Sequence, residues 1–206
     1  MARKVKPNRV PTSSVVSRRL PLRMREATIE GLDPQQFKVV VDYSEKLRYH
    51  LKSGKGLLLS GPPGVGKTWA ISALTNKFVG MGWASTPIHE FVTAPTLFDL
   101  YASIDPGVDA YTGLPYDRLY ESCLWLVIND LGKEYRGGKL EEQIPYKLGR
   151  LLRARNEKRR VTHITTNLAA SGGPQSIVGV YGKSIASLLS EMVSAYVITG
   201  PDRRKE

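Results

Sequence analysis

The feature that most constrains this chain is a glycine-rich stretch that follows a short apolar run. Residues 57–60 are apolar up to Ser60, and a segment compatible with a helix comes after the glycines. This order of strand, G-x-x-x-x-G-K-T loop and helix is what a phosphate-binding P-loop requires. Its backbone N–H groups and the N-terminus of the helix together attract phosphate oxygens. The predicted nucleotide-binding residues are Gly61, Pro62, Pro63, Gly64, Val65, Gly66, Lys67, Thr68 and Trp69.

Two side chains of this loop are expected to carry its chemistry. Lys67 would reach the β- and γ-phosphates of a nucleotide, and the Thr68 hydroxyl would ligate Mg²⁺. The expected cofactors are therefore ATP and Mg²⁺. A glycine-rich turn that binds nothing is the alternative, which the complete motif and its two flanking elements disfavour.

Polar side chains at the ends of two later strands are the next candidates. The apolar run 124–128 is followed by Asn129 and Asp130, and the run 161–166 is followed by Asn167. An NTPase needs an acidic residue at such a strand end to hold Mg²⁺ or to polarise the attacking water. We predict this role for Asp130, either directly or through water. Asn167 is predicted to orient water or contact the γ-phosphate; capping of a turn is the alternative.

The charge balance indicates a polyanionic partner. The 206 residues include 30 Lys and Arg against 19 Asp and Glu, which gives a net charge of +11. Such an excess favours nucleic acid through counterion release, and a solubilising surface is the alternative. Residues 1–25 contain eight Lys and Arg, three prolines and no acidic residue, so we predict a flexible basic arm. No apolar run could cross a membrane and the N-terminus lacks the apolar core of a signal peptide, which predicts a cytoplasmic protein.

The remaining pattern predicts one α/β domain over residues 26–206. A helix is predicted at 34–52, before the first strand, and helices then alternate with short apolar strands. This alternation predicts a doubly wound fold with a mostly parallel five-stranded sheet flanked by helices. The predicted strands are 57–60, 87–92, 124–129, 161–166 and 195–199, and the later helices are 94–104, 140–157 and 184–192.

The glycine-rich loop is one of several stretches that share a pattern with a known family. The others are Asp130-Leu131-Gly132, the basic stretch 155–167, residues 91–97, and the tail segments 181–192 and 200–204. Together they resemble the AAA+ ATPases of the DnaC/DnaI helicase-loader and IstB group, over residues 56–204. The resemblance implies a P-loop NTPase with an AAA+ core, Mg²⁺, a sensor-1 role for Asn167, and side-by-side assembly on single-stranded DNA or on a helicase.

The chain departs from this family at functional positions. The family has two acids at the end of the third strand, and the first of them is Asn129 here. An amide can still bond to a Mg²⁺-bound water but adds no charge. The family's tail arginine, which acts across a subunit boundary, is replaced by Leu188, and Ser184 stands at the other arginine position. Arg153, Arg155 or a tail arginine are the possible substitutes.

Four functions remain open at this level. The leading one is an oligomeric ATP-binding protein that loads or regulates a replicative helicase on DNA. The second is an IstB-like DNA-binding regulator of a transposase, and the third is a hydrolysis-poor scaffold switched by ATP. A small-molecule kinase is disfavoured by the strand ends and the tail. DNA contacts are expected from the arm and from Arg150, Arg153, Arg155, Lys158, Arg159 and Arg160; for Tyr111, Tyr116 and Tyr120, packing is favoured over base stacking.

Overall fold

Five parallel strands form one sheet in the part of the chain that is described by the computed structural model. That part comprises residues 20–82, 89–103, 107–110, 112–134, 139–169 and 172–204. The strand order is β2-β3-β4-β1-β5, so the first strand lies between the fourth and the fifth. The predicted doubly wound α/β fold is confirmed. The strands are β1 (Gly56–Ser60), β2 (His89–Thr93), β3 (Trp125–Leu131), β4 (Val161–Thr166) and β5 (Val193–Val197).

Helices cover both faces of this sheet. The predicted N-terminal helix is divided at Lys46, whose backbone angles (φ −109°, ψ 25°) are not helical. None of the helices within the described ranges is long and apolar enough to cross a membrane. The helices are α1 (Lys38–Glu45), α2 (Leu47–Ser53), α3 (Lys67–Gly80), α4 (Ala94–Ala102), α5 (Tyr116–Ser122), α6 (Lys139–Glu157) and α7 (Ile177–Met192).

Two of these helices differ from the sequence prediction. α7 begins at Ile177, because the Ser176 side chain accepts a hydrogen bond from the Gly179 N–H and caps the helix. Gly182 interrupts α7 with a non-helical φ of 84°, which explains why the pattern predicted only the part from residue 184. α5 lies in a segment for which the sequence predicted no element.

Alternate residues of the strands point into two hydrophobic clusters. Leu57 and Leu59 pack on one face of the sheet with residues of α1 and α3, whereas Leu58 packs on the other face with residues of α4, α6 and α7. All five residues of β1 are buried, as are all six of β4. Continuous burial explains the apolar run of β1, whereas β4 is buried although Thr162, His163, Thr165 and Thr166 are polar. Because the strands are parallel, their carboxyl ends lie at one edge of the sheet.

The packed part of the chain begins earlier than the sequence predicted. Leu20 and Met24 are buried, although both belong to the predicted basic arm. The Asn76 side chain of α3 donates hydrogen bonds to the carbonyl groups of Met24 and Ala27, at 3.0 and 2.8 Å. Residues 20–25 are therefore packed against α3. The rest of the predicted arm, residues 1–19, lies outside the described part of the chain.

Candidate functional site

The glycine-rich loop has the backbone shape that phosphate binding requires. Gly61, Gly64 and Gly66 have φ angles of 140°, 83° and 94°, in the region that favours glycine. Close packing is a second reason for glycine at these positions. A Cβ atom on Gly61 would lie 2.1 Å from the Ile198 carbonyl oxygen. A Cβ atom on Gly64 would lie 1.8 Å from a carboxylate oxygen of Asp202. The loop is thus held between the end of β1, the start of α3 and the C-terminal segment.

Lys67 lies inside the curve of this loop. Its ammonium group donates to the carbonyl oxygens of Gly61 and Pro62, at 2.8 and 2.7 Å, and to Asn167 Oδ1 at 3.0 Å. Burial lowers the pKa of Lys67 to about 8, while nearby Asp130 opposes this shift and nearby Lys133 reinforces it. These partners of Lys67 are neutral oxygens. An anionic phosphate would therefore supply a negative counter-charge for the ammonium group.

The P-loop threonine is linked to both neighbouring strand ends. The Thr68 hydroxyl donates to Asn129 Oδ1 at 2.8 Å, and the Thr165 hydroxyl donates to the same oxygen at 2.7 Å. The Asp130 N–H donates to the Thr165 hydroxyl at 3.0 Å. A hydroxyl and an amide oxygen are hard ligands that fit Mg²⁺. Asn129 therefore lies where the family pattern expected the first acid, and it leaves this position without charge.

Asp130, the second-last residue of β3, has an unusual backbone conformation. Its φ is 61°, and the pairing of β3 with β4 shifts register between Ile128 and Leu131. A left-handed conformation costs a non-glycine residue roughly 1–2 kcal/mol. The carboxylate is partly exposed and lies 3.0 Å from the Lys133 ammonium group. The predicted catalytic role of Asp130 stays a prediction.

A second carboxylate near this strand end escaped the sequence analysis. Glu134 is buried, and one of its oxygens accepts a hydrogen bond from the Gly132 N–H at 2.8 Å. The Tyr181 hydroxyl donates to its other oxygen. Glu134 thus connects the loop after β3 to α7. Its position four residues after Asp130 was the available signal, but spacing alone does not show that the side chain turns inward.

The outer side of the P-loop is contacted by the two ends of the domain. The Gln36 side chain donates to the carbonyl oxygens of Val65 and Thr199, at 3.2 and 2.7 Å. The backbone N–H of Arg203 donates to the Gly64 carbonyl oxygen at 3.1 Å, and the guanidinium group of Arg203 lies over the Phe37 ring. These contacts join residues far apart in the sequence, so no local pattern could have revealed them.

Arg155 cannot be the missing trans arginine or a DNA contact. Its side chain is completely buried and donates to the carbonyl oxygens of Cys123 and Val161, at 3.0 and 2.6 Å, and to the Thr162 hydroxyl at 2.8 Å. The prediction for Arg155 was wrong because the pattern treated the basic face of α6 as uniformly exposed. Arg153 is exposed and lies 3.4 Å from the Ser184 hydroxyl, beside the helix that carries Leu188.

The predicted fates of the tyrosines are resolved in part. Tyr120 is buried and its ring lies 6.0 Å from that of the half-buried Tyr116. Packing is therefore confirmed for Tyr120, and Tyr111 lies outside the described residues.

Comparison with known structures identifies the class of this fold. The chain shares 21% identity with a DnaI structure, at a TM-score of 0.67 over 90% of this chain and 94% of that one. It shares 22% identity with a DnaC helicase loader, at a TM-score of 0.63 over 87% of this chain and 100% of that one. The predicted AAA+ fold of DnaC/DnaI type is confirmed. The sequence matches no protein-family model and no curated protein.

A replication initiator shares the same core. DnaA bound to AMPPCP and single-stranded DNA is 16% identical, with a TM-score of 0.61 over 86% of this chain and 51% of the DnaA chain. At these identities the likeness concerns the fold. The DnaC structure is that of a helicase loader, and the DnaA structure is that of a replication initiator that holds a nucleotide analogue.

Proposed function

We propose that this protein binds ATP and Mg²⁺, assembles on DNA, and loads or regulates a replicative helicase. The observation that carries the proposal is the loop around Lys67, whose inward-facing ammonium group contacts neutral oxygens at the carboxyl end of a parallel sheet. That arrangement fits a triphosphate. The likeness of the fold to DnaI and DnaC supports the choice of a helicase as the partner.

In this proposal each site residue has a defined task. The backbone of residues 61–68 surrounds the phosphates, and Lys67 neutralises the β- and γ-phosphates. Thr68 and Asn129 hold Mg²⁺, the first directly and the second through water, and bound Mg²⁺ would shield phosphate charge. Asn167, which already accepts a hydrogen bond from Lys67, senses the γ-phosphate.

The same geometry supports slow hydrolysis. Binding depends on the loop and on Lys67, whereas the rate depends on groups that stabilise charge developing in the transition state. Here Asn129 is neutral, Asp130 is paired with Lys133, and Leu188 replaces the trans arginine. ATP would then hold an assembled state, and DNA or a partner would stimulate any turnover. A hydrolysis-poor, ATP-switched scaffold is therefore the second candidate function.

Contacts around the P-loop offer a route from nucleotide to partner. Gln36 and Phe37 contact the outer side of the loop and precede α1, and the segment that contains them follows the basic N-terminal residues. A shift of the loop on ATP binding would therefore displace this segment. We propose that the N-terminal residues and the exposed basic side chains bind DNA in the ATP-bound assembly.

The partner decides between the candidate functions. The purified protein should co-elute with a replicative helicase in ATP and not in ADP, and Lys67→Ala should abolish co-elution in ATP. The variant is matched because it leaves the surface unchanged. Binding to a transposase in place of the helicase would favour the IstB-like alternative, and no ATP-dependent binding to either would contradict the proposal.

A further inference from the structure

Two helices end against each other at the edge of the sheet opposite the P-loop. α2 ends at Gly54, whose φ is 74°, and α6 is followed by Arg159, whose φ is 49°. A Cβ atom on Gly54 would lie 2.8 Å from both the Cα and the carbonyl carbon of Arg159. Only glycine allows this approach, so the two helix ends are fixed side by side.

The contact brings together basic residues that lie about a hundred positions apart in the sequence. We call this surface the basic end. Glu45 and Glu157 lie next to its members Lys46 and Lys158 in the sequence. The Glu191 carboxylate is 3.4 Å from Asn156, and the Glu191 carbonyl group accepts a hydrogen bond from Lys55. The basic end consists of the exposed Lys46, Arg48, Lys52, Lys158 and Arg159 and the half-buried Lys55 and Arg160.

An exposed aromatic ring lies within this positive surface. Tyr49 of α2 is 66% exposed. The Tyr49 ring contacts the His50 ring edge-to-face, with 5.4 Å between the ring centroids. The His50 ring in turn stacks on the ring of the buried Tyr43, with 3.7 Å between the centroids. This support holds the Tyr49 ring in place and leaves a π-face available for a base.

Arg159 occupies a position that favours glycine. Its N–H donates to the Asn156 carbonyl oxygen at 3.0 Å, and the Arg160 N–H donates to the Arg155 carbonyl oxygen at 2.9 Å. These two bonds form a Schellman motif, in which the left-handed residue is usually glycine. The left-handed conformation is strained for an arginine and not for a glycine. Such strain is typical of functional sites, which indicates a binding role for the Arg159 side chain.

We propose that the basic end binds single-stranded nucleic acid, with phosphates on Arg48, Lys52 and Arg159 and a base stacked on Tyr49. Charge alone would suit any polyanion, but the supported ring favours a strand whose bases are unpaired and exposed. This proposal rests on the DNA-binding part of the proposed function and locates it away from the nucleotide site.

The test measures the affinity for a fluorescent oligothymidylate of about 16 nucleotides by anisotropy, over a series of salt concentrations. Tyr49→Ala should weaken binding about tenfold. Arg159→Gly should weaken it several-fold and reduce the slope of log affinity against log salt by about 0.7. The same Arg159→Gly variant should melt about 2–4 °C higher, which separates lost contacts from unfolding. Lys38→Ala is the control, since it removes the charge of an exposed lysine of α1 that does not belong to the basic end.

Each other result has a definite meaning. If the wild type does not bind the oligonucleotide, the DNA-binding part of the proposed function fails together with the basic end. If the wild type binds and both variants bind equally well, the basic end is overturned and the proposed function stands. If Arg159→Gly weakens binding, Tyr49→Ala does not, and polyglutamate competes as well as DNA, the basic end is a site for an acidic protein instead.

Discussion

The two ends of the sheet each hold a non-glycine residue in the left-handed conformation. Asp130 is the second-last residue of β3, at the nucleotide end, with a φ of 61°, and Arg159 precedes β4 at the basic end with a φ of 49°. These are the two such residues in the described part of the chain. Both side chains are charged, and neither is buried.

The surroundings of these residues differ. The nucleotide end is built from neutral contacts around one buried ammonium group, so it is selective for a compact anion that fits the loop. The basic end carries five exposed cationic side chains on an open surface. Strain at the first end therefore positions one carboxylate beside a defined site, whereas strain at the second adds one more cation to an open surface.

Removal of the buried ammonium group should have the largest effect of the variants proposed, and this effect should be confined to the nucleotide end. Lys67→Ala should reduce ATP affinity at least about 100-fold, because truncation removes the charge partner of the phosphates. Lys52→Ala at the basic end should leave ATP affinity unchanged. Isothermal calorimetry measures both. Equal ATP binding by wild type and Lys67→Ala would refute the assignment of the nucleotide site.

Turnover should rise when the charges missing from the nucleotide end are restored. The double variant Asn129→Asp with Leu188→Arg should hydrolyse ATP more than about tenfold faster, since a trans arginine alone supplies about 10³–10⁵ where it operates. ATP affinity should stay within a few-fold. A phosphate-release assay without partner measures the rate.

Brisk hydrolysis by the wild type would contradict this view. A rate on the order of 1 s⁻¹ or faster, abolished by Asp130→Ala, would show that the native site is already complete. Arg153 would then be the first candidate for the trans arginine, because Arg155 is buried.

The pH dependence of the nucleotide end follows from Lys67. Burial lowers its pKa from 10.5 to about 8 in the free protein, and a bound triphosphate would raise it again. ATP affinity should therefore fall above pH 8, by up to about tenfold per pH unit, with proton uptake on binding. Calorimetry in buffers of different ionisation enthalpy measures that uptake.

Protein stability should respond in the opposite direction over the same range. Between pH 8 and 10.5 the unfolded chain binds more protons at Lys67 than the folded chain, so this residue's contribution to stability increases with pH. Lys67→Arg is the control, because a guanidinium group stays protonated throughout. Persistence of the pH dependence of ATP affinity in Lys67→Arg would assign it to another group.

The smallest expected effect is on the melting temperature, when each of the two strained residues is replaced by glycine. Asp130→Gly and Arg159→Gly should each raise the melting temperature by about 2–4 °C, because glycine relieves roughly 1 kcal/mol of backbone strain. The two gains should add in the double variant, since the sites share no contact. The first variant should lose turnover and the second should lose nucleic-acid affinity. A lower melting temperature for either single variant would show that its side chain stabilises the fold.

The sequence by itself determined the parts of this protein that depend on short-range physics. The glycine pattern of residues 61–66 specifies its own backbone shape, and the apolar runs of β1 and β3 are typical of strands that are buried on both faces. The site candidates Lys67, Thr68, Asn129 and Asn167 could be found because each follows directly from a strand or loop signal. The structure joins these side chains in two hydrogen-bonded pairs, Lys67 with Asn167 and Thr68 with Asn129.

Only the tertiary structure decided which charged residues are available. Arg155 and Arg153 are two positions apart on one helix, yet the first is buried against the carbonyl groups of β4 and the α5–β3 turn while the second is exposed. Gln36 reaches Thr199, and Gly54 meets Arg159, through contacts between distant segments. Helical and strand periodicity fixes the face on which a side chain lies, but the partner of that face depends on how the chain returns, which local pattern does not encode.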